Sequence, residues 1–207
     1  MIGVYNYTVI LTYMSFLSAL TGIYFSINGN SFIGIICLMF SGLCDMFDGK
    51  VARTKKNRTE KEKGFGIELD SLSDLVAFGV LPASIGVSLG VDKTPLVFTL
   101  FLLPLGALIR LAFFNVDEQI RSSKTTSQRH TYLGLPVTTT AIILPLVYAL
   151  KKYFPANFTY IYGITLLIVS ILFVTKFEIK KPSTKGLILI SLIGLLIFIS
   201  LLLIYLR

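Results

Sequence analysis

Four aspartates lie in or at the edge of long apolar stretches, where an unpaired charge is costly. They are Asp45, Asp48, Asp70 and Asp74. Carboxylates inside membrane-spanning segments are rare for this reason and usually serve a function. Asp45 and Asp48 are three positions apart and Asp70 and Asp74 are four apart, so each pair occupies one helical face. The spacing predicts four carboxylates that face each other from two neighbouring helices.

Facing carboxylates repel one another in a medium of low dielectric constant, and divalent cations would relieve that repulsion. Ligand sets made only of oxygen atoms select hard cations over zinc. The sequence therefore predicts a site for Mg²⁺, Mn²⁺ or Ca²⁺.

Small residues flank the acids at helical spacing. Gly49 and Ala52 follow Asp45 by four and seven positions, and Gly66 precedes Asp70 by four. A bulky ligand could lie against the backbone there, although close helix packing is an alternative explanation. Arg53 could contact phosphate oxygens through its planar guanidinium. Phosphoryl-type transfer requires hard cations, an arginine and a surface of small residues against which the substrate can lie.

The elements that must position these residues are membrane helices. Of the 207 residues, 54% are hydrophobic and only 14% charged, and the mean hydropathy is +0.79. This composition excludes an ordinary soluble enzyme and a disordered chain. Apolar runs long enough to span a bilayer predict an all-α polytopic membrane protein with spans at roughly 6–27, 31–53, 67–90, 95–116, 134–152, 158–175 and 185–206.

Lysine and arginine, which give a net charge of +8, concentrate in alternate connections. The charged run 54–64, the stretch 117–132 and the connection after the sixth span are rich in them. Because cytoplasmic loops carry such residues, we expect a cytoplasmic N-terminus. The basic residues adjoin spans and do not form a groove. We therefore expect membrane lipids, and not a nucleic acid, as partners.

The segments Asp45-Met-Phe-Asp48-Gly49-Lys-Val-Ala52-Arg53 and Gly66-Ile-Glu-Leu-Asp70-Ser-Leu-Ser-Asp74 resemble the signature of the CDP-alcohol phosphotransferases. All eight signature positions match. The gap of 12 residues between Arg53 and Gly66 is longer than the eight or nine common in that family. An insertion in a surface connection explains the difference.

The resemblance implies a single integral membrane catalytic domain over 1–207, with a six-helix core at about 5–176 and an additional span at about 185–206. It implies a homodimer and a cavity that faces the cytosol from the cell membrane. It further implies two divalent cations per subunit, held by Asp45, Asp48, Asp70 and Asp74, with Asp74 also the general base. The CDP pocket would be lined by Asp48, Gly49, Ala52, Arg53 and Gly66. Ser15 and Ser18 are candidate cytidine contacts.

Flanking segments resemble the CDP-diacylglycerol–serine O-phosphatidyltransferases within this family. These segments are Phe65–Ala83, Ala107–Val116 and Gly134–Val137, although Phe113 replaces an arginine of the subfamily pattern. The resemblance implies CDP-diacylglycerol and L-serine as substrates and phosphatidylserine and CMP as products. Arg110 could bind the serine carboxylate with Asn115 nearby, or it could be an interfacial anchor. His130 is expected at the surface.

Other functions stay open at this point. The acceptor could be glycerol 3-phosphate or inositol phosphate, although a phosphorylated acceptor should need more cationic residues than Arg110 supplies. The donor could be an archaeal diether lipid. A cation-coupled transporter predicts midplane acids and inverted repeats, whereas these acids cluster at one end. A lipid-binding scaffold leaves the eight-position match unexplained.

Overall fold

The computed structural model describes residues 2–124, 131–180 and 184–205; His130 lies outside them. Within these ranges, a short 3₁₀ turn at Tyr7–Val9 precedes eight α-helices. Their bounds are α1 Ile10–Ile27, α2 Ser31–Thr54, α3 Glu60–Asp74, α4 Leu81–Ser88, α5 Thr99–Lys124, α6 Thr140–Ala149, α7 Phe158–Val174 and α8 Thr184–Tyr205. A π-helical segment, Leu75–Val80, joins α3 to α4 without a break.

The prediction of an all-α polytopic membrane protein is confirmed. Within the described ranges, four helical segments are long and apolar enough to cross a membrane: Tyr7–Ile27, Ser31–Thr54, Glu60–Ser88 and Pro95–Arg121. Phe158–Val174 and Ser191–Leu203 are apolar but shorter. The predicted span 134–152 contains only the ten-residue α6, flanked by 3₁₀ turns at Val137–Thr139 and Leu150–Lys152.

Two predicted boundaries were wrong because polar residues extend helices beyond the apolar runs. The third span was expected to begin near 67, but α3 begins at Glu60, where Thr59 and Glu62 form a capping box. The stretch 117–132 was expected to be a connection, but α5 continues to Lys124. An Arg121–Glu118 ion pair on one face of the helix accompanies this extension.

Helix α1 packs closely on α2 and α4 because small residues lie between them. Ala19 is fully buried, and a Cβ at Gly22 would lie 2.8 Å from both Cys37 and Leu81. The core beside this contact contains Ile35 and Phe78, which are also fully buried. These contacts hold α1 beside α2, which carries Asp45 and Asp48, and beside α4, which continues the aspartate-bearing α3 through the π-helical segment.

A two-stranded antiparallel pairing, absent from the sequence prediction, joins β1 (Thr131–Leu133) to β2 (Glu178–Lys180). Gly134 continues this contact by donating its N–H to Phe177 O at 2.7 Å. Its φ of +75° favours glycine, and an added Cβ would lie 3.1 Å from Thr175 O. The pairing fixes the segment after β1 against the end of α7.

Helix α8 packs against α6 and α2. Ile197 is 8% exposed and Leu201 is 1% exposed, and Ser191 Oγ donates to Met46 Sδ at 3.4 Å. The last helix therefore contributes to the core next to the α2 segment that carries Asp45.

Candidate active site

Three of the four predicted aspartates converge on one point. Carboxylate oxygens of Asp45, Asp70 and Asp74 all lie within 4.8 Å of one another. Asp45 is contributed by α2, and Asp70 and Asp74 by successive turns of α3. Asp74 is only 8% exposed, so this cluster extends from the cavity described below into the helix bundle.

Asp48 lies beside this cluster but turns toward α1. Its side chain is 8% exposed, and its Oδ2 accepts a hydrogen bond from Thr12 Oγ1 at 3.2 Å. Thr12, which sequence reasoning missed, thus fixes the orientation of one predicted ligand.

The cluster has the chemistry of a hard-cation site. Asp70 Oδ1 is buried and has no hydrogen-bond partner among the described residues. An unsatisfied buried oxygen is costly, and the carboxylates around it add like-charge repulsion. A divalent cation bound by these oxygens would remove both costs, so the residues fit the metal that the sequence predicted.

A cavity of about 310 Å³ opens beside the aspartates. All five residues predicted for the CDP pocket line it: Asp48, Gly49, Ala52, Arg53 and Gly66. Further lining residues are Thr8, Val9, Thr12, Arg58, Lys63, Ile67 and Asp70. The cavity therefore brings the two halves of the signature together with the start of the chain.

Sequence reasoning missed Thr8, Thr12, Arg58 and Lys63 as lining residues. The threonines are four positions apart, but such a pair is too common in helices to indicate a site. Arg58 and Lys63 belong to the charged run after α2, which looked like a topology signal. The extra length of that run was the feature that could have indicated their role, although an insertion in a surface connection also explained it.

Ser15 and Ser18, the candidate cytidine contacts, do not line this cavity. Ser15 Oγ donates to Ser41 O at 3.4 Å, and Ser18 Oγ donates to Cys37 O at 3.1 Å. Ser41 Oγ in turn donates to Ser15 O at 3.0 Å. These hydroxyls bind the backbone across the α1–α2 contact instead.

The helix carrying Asp74 changes its winding directly after that residue. The π-helical segment Leu75–Val80 widens the turn, a feature often found at functional sites. Gly79 lies against α5, where an added Cβ would be 3.3 Å from Pro104 Cα and 3.2 Å from Ala107 Cβ. Close packing of this segment on α5 fixes the depth of Asp74.

The two residues predicted to bind serine have protein partners. Arg110 is 7% exposed, and its Nε donates to Leu135 O at 3.2 Å. Its guanidinium lies 5.4 Å from the centre of the Phe114 ring. Asn115 Nδ2 donates to Ser71 Oγ at 2.9 Å, which ties α5 to the residue after Asp70. A role in serine binding stays a prediction.

Comparison with known proteins places these features in one family. Residues 5–175 match the family model described as CDP-alcohol phosphatidyltransferase. The chain is 42% identical over 114 residues to CDP-diacylglycerol–serine O-phosphatidyltransferase from Saccharomyces cerevisiae, a match that covers 54% of this chain and 40% of that protein.

Two other relatives match over most of the chain. The protein of the same name from Mycobacterium leprae is 30% identical over 180 residues, which cover 84% of this chain and 58% of the relative. Archaetidylserine synthase from Methanothermobacter thermautotrophicus is 30% identical over 177 residues, covering 84% and 70%. The chain thus spans about half the length of the first two relatives. The match over 171 residues, together with a cavity lined by the signature, shows that this membrane protein belongs to the CDP-alcohol phosphatidyltransferase family.

Proposed function

We propose that the protein transfers a phosphatidyl group from CDP-diacylglycerol to the hydroxyl of L-serine and releases CMP. One observation carries this proposal: the cavity lined by all five predicted CDP-pocket residues lies beside three converging aspartates. The printed names of the yeast and mycobacterial relatives support serine as the acceptor.

Asp45, Asp48, Asp70 and Asp74 would hold divalent cations, Mg²⁺ or Mn²⁺, which we expect to number two per subunit. When bound, such ions would neutralise phosphate charge and stabilise the leaving CMP. The unpartnered Asp70 Oδ1 and a cluster formed, among the described residues, by carboxylates alone support a hard cation there.

The chain's own residues would bind and orient the substrates. Gly49 and Ala52 leave room for the nucleotide, and Arg53 would bind its phosphates. The serine oxygen attacks the phosphorus that carries the diacylglycerol, and the bond from that phosphorus to the CMP oxygen breaks. Asp74, as general base, would accept the proton of the serine hydroxyl.

The serine carboxylate would be recognised by Arg110, with Asn115 nearby. Both lie on α5, and Asn115 hydrogen-bonds Ser71, the residue after Asp70. A phosphorylated acceptor such as glycerol 3-phosphate or inositol phosphate is the alternative within the family.

A diether lipid is a second candidate for the lipid part of the donor. The match to archaetidylserine synthase covers as much of this chain as the mycobacterial match does, which supports a diether donor equally well. The chemistry at phosphorus is the same for both lipids.

We further propose that the protein is a homodimer in the cell membrane, with its N-terminus and the cavity on the cytoplasmic side. The excess of Lys and Arg in the connections after spans two, four and six supports this orientation. The Arg58 and Lys63 side chains at the cavity belong to the first of these connections.

An acceptor panel tests the proposed reaction. Purified protein in detergent with Mn²⁺ receives either the diacyl or the diether CDP lipid, together with serine, glycerol 3-phosphate or inositol phosphate, and CMP release is measured. We expect release with serine at least about tenfold faster than with the other acceptors, because a pocket built for a carboxylate and an ammonium rejects a phosphate. CMP release with a phosphorylated acceptor and none with serine would contradict the proposal.

A further inference from the structure

The unusually long connection between α2 and α3 folds against the cavity. Glu62 fixes it there: its carboxylate accepts hydrogen bonds from Lys55 Nζ at 2.6 Å, Asn6 Nδ2 at 2.9 Å and the Thr59 N–H at 2.9 Å. Asn6 belongs to the segment before α1 that carries the cavity residue Thr8. The connection is thereby attached to one wall of the cavity.

This arrangement brings the Arg58 guanidinium over Gly66. An added Cβ at Gly66 would lie 2.7 Å from Arg58 Nη2. Any other residue at this position would therefore force the guanidinium to move. Arg58 Nη2 donates to Glu62 O at 3.1 Å. The opposite signature glycine, Gly49, has the Arg53 Nη2 atom 3.9 Å from its own added Cβ. Each glycine of the cavity thus lies beneath an arginine.

The Arg58 side chain has hydrogen-bonding capacity left over. Its Nε is buried and has no hydrogen-bond partner within residues 2–124, 131–180 and 184–205. A guanidinium presents five N–H donors in a planar fork that matches phosphate oxygens. A buried donor without a partner is costly, and an anion in the cavity would relieve that cost.

We propose that Arg58 is a second phosphate-binding arginine, which contacts the diphosphate of the nucleotide donor together with Arg53, and that Gly66 positions it. This inference rests on the proposed function, because it takes the cavity's ligand to be a nucleotide diphosphate. The longer connection is then part of the donor site and not only a surface insertion.

Direct binding of CDP in the presence of Mg²⁺ tests the inference on the purified full chain. Arg58→Gln should raise the Kd for CDP by about 10-fold to 100-fold, the usual size for a lost charge-assisted hydrogen bond. The Kd of Arg58→Lys should lie between those of the wild type and Arg58→Gln, because lysine keeps the positive charge but lacks the planar guanidinium. The matched control is Lys56→Gln, which removes a charge from an exposed residue of the same connection and should change Kd less than about twofold.

The KM values for CDP-diacylglycerol and serine distinguish a phosphate contact from a structural role. Arg58→Gln should raise the KM for the donor and leave that for serine unchanged. A Kd within about twofold of the wild type, or an equal rise of both KM values with a lowered thermal midpoint, would overturn the inference. If the wild-type protein binds CDP but transfers nothing to serine, the proposed function is contradicted. The comparison of CDP binding between the variants then still tests the role of Arg58.

Gly66→Ala provides a second, independent variant. In the wild-type background its Cβ displaces the guanidinium and should weaken CDP binding by a factor similar to that of Arg58→Gln. In the Arg58→Gln background it should add less than about twofold, because residues that share one contact are not additive. Losses that multiply would overturn the positioning role given to Gly66.

Discussion

Asp74 is a buried carboxylate of the site, one helical turn beyond Asp70 and directly before the π-helical segment. Asp74→Asn keeps the shape of the side chain and one oxygen but cannot accept a proton. We expect turnover to fall by about 10²-fold to 10⁴-fold, the usual contribution of a general base. Binding of CDP-diacylglycerol with Mn²⁺ should be retained, as measured by equilibrium titration.

The control for this substitution is Asp92→Asn, which changes an exposed aspartate in the 3₁₀ turn Val91–Lys93. It should leave both turnover and binding unchanged. Loss of binding together with turnover in Asp74→Asn would make Asp74 chiefly a metal ligand. Near-normal turnover would mean that the base is elsewhere.

Arg110 combines the proposed substrate role with the hydrogen bond to Leu135 O. Arg110→Lys keeps the charge and loses the planar fork. If Arg110 binds the serine carboxylate, the KM for serine should rise about tenfold or more while that for CDP-diacylglycerol stays unchanged. The measurement is a pair of steady-state titrations, with Arg121→Lys on the same helix as the control. An equal defect for both substrates would assign Arg110 to the fold.

The start of α3 depends on a single side-chain cap. Thr59 accepts from Glu62 N at 3.1 Å, and the Glu62 carboxylate accepts from Thr59 N. Thr59→Ala should lower the free energy of unfolding by about 1 kcal/mol, and Thr59→Ser, which keeps the hydroxyl, should lower it far less. Thermal unfolding in detergent measures both. Equal midpoints for the two variants would contradict the role of this cap.

The contact between α2 and α6 has no room for a methyl group at Gly42. An added Cβ would lie 2.5 Å from Ala141 Cβ, and neither atom belongs to a flexible side chain. Gly42→Ala should therefore destabilise the protein by about 1–3 kcal/mol. Gly64→Ala, in open space within α3, should be neutral or stabilising because alanine favours a helix. Thermal midpoints of the two variants should thus move apart; a similar small shift for both would contradict this packing.

The sequence predicted the helical class and brought Asp45, Asp70 and Asp74 to one place because hydropathy and helical spacing are local properties. It could not predict that Thr12 would orient Asp48, since that contact joins residues 36 positions apart. The placement of Arg58 was also out of reach, because it depends on Glu62 binding Asn6 across 56 positions. Apolar periodicity likewise gave no signal for the extension of α5 or for the β1–β2 pairing.

At the scale of the whole molecule, the acids and the cations are arranged around one cavity near one end of α2 and α3. Two of the aspartates and three cationic residues line it together: Asp48, Asp70, Arg53, Arg58 and Lys63. This lining would suit the proposed donor, whose diphosphate the arginines would bind while its lipid stays among apolar helices. Many exposed leucines and isoleucines on the helices provide the lipid-facing surface.

Transfer of labelled serine into lipid, with and without divalent cation, tests the central claim most directly. Purified protein in detergent receives CDP-diacylglycerol and labelled serine with Mn²⁺, with excess EDTA, or with EDTA followed by excess Mn²⁺, and the labelled lipid is quantified. We predict a labelled phospholipid with Mn²⁺, a loss of at least about 10²-fold in EDTA, and recovery when Mn²⁺ is restored, because the clustered carboxylates repel one another and Asp70 Oδ1 has no hydrogen-bond partner among the described residues. Full transfer in excess EDTA would contradict a metal site at the aspartates, and the absence of labelled lipid under every condition would contradict the proposed reaction.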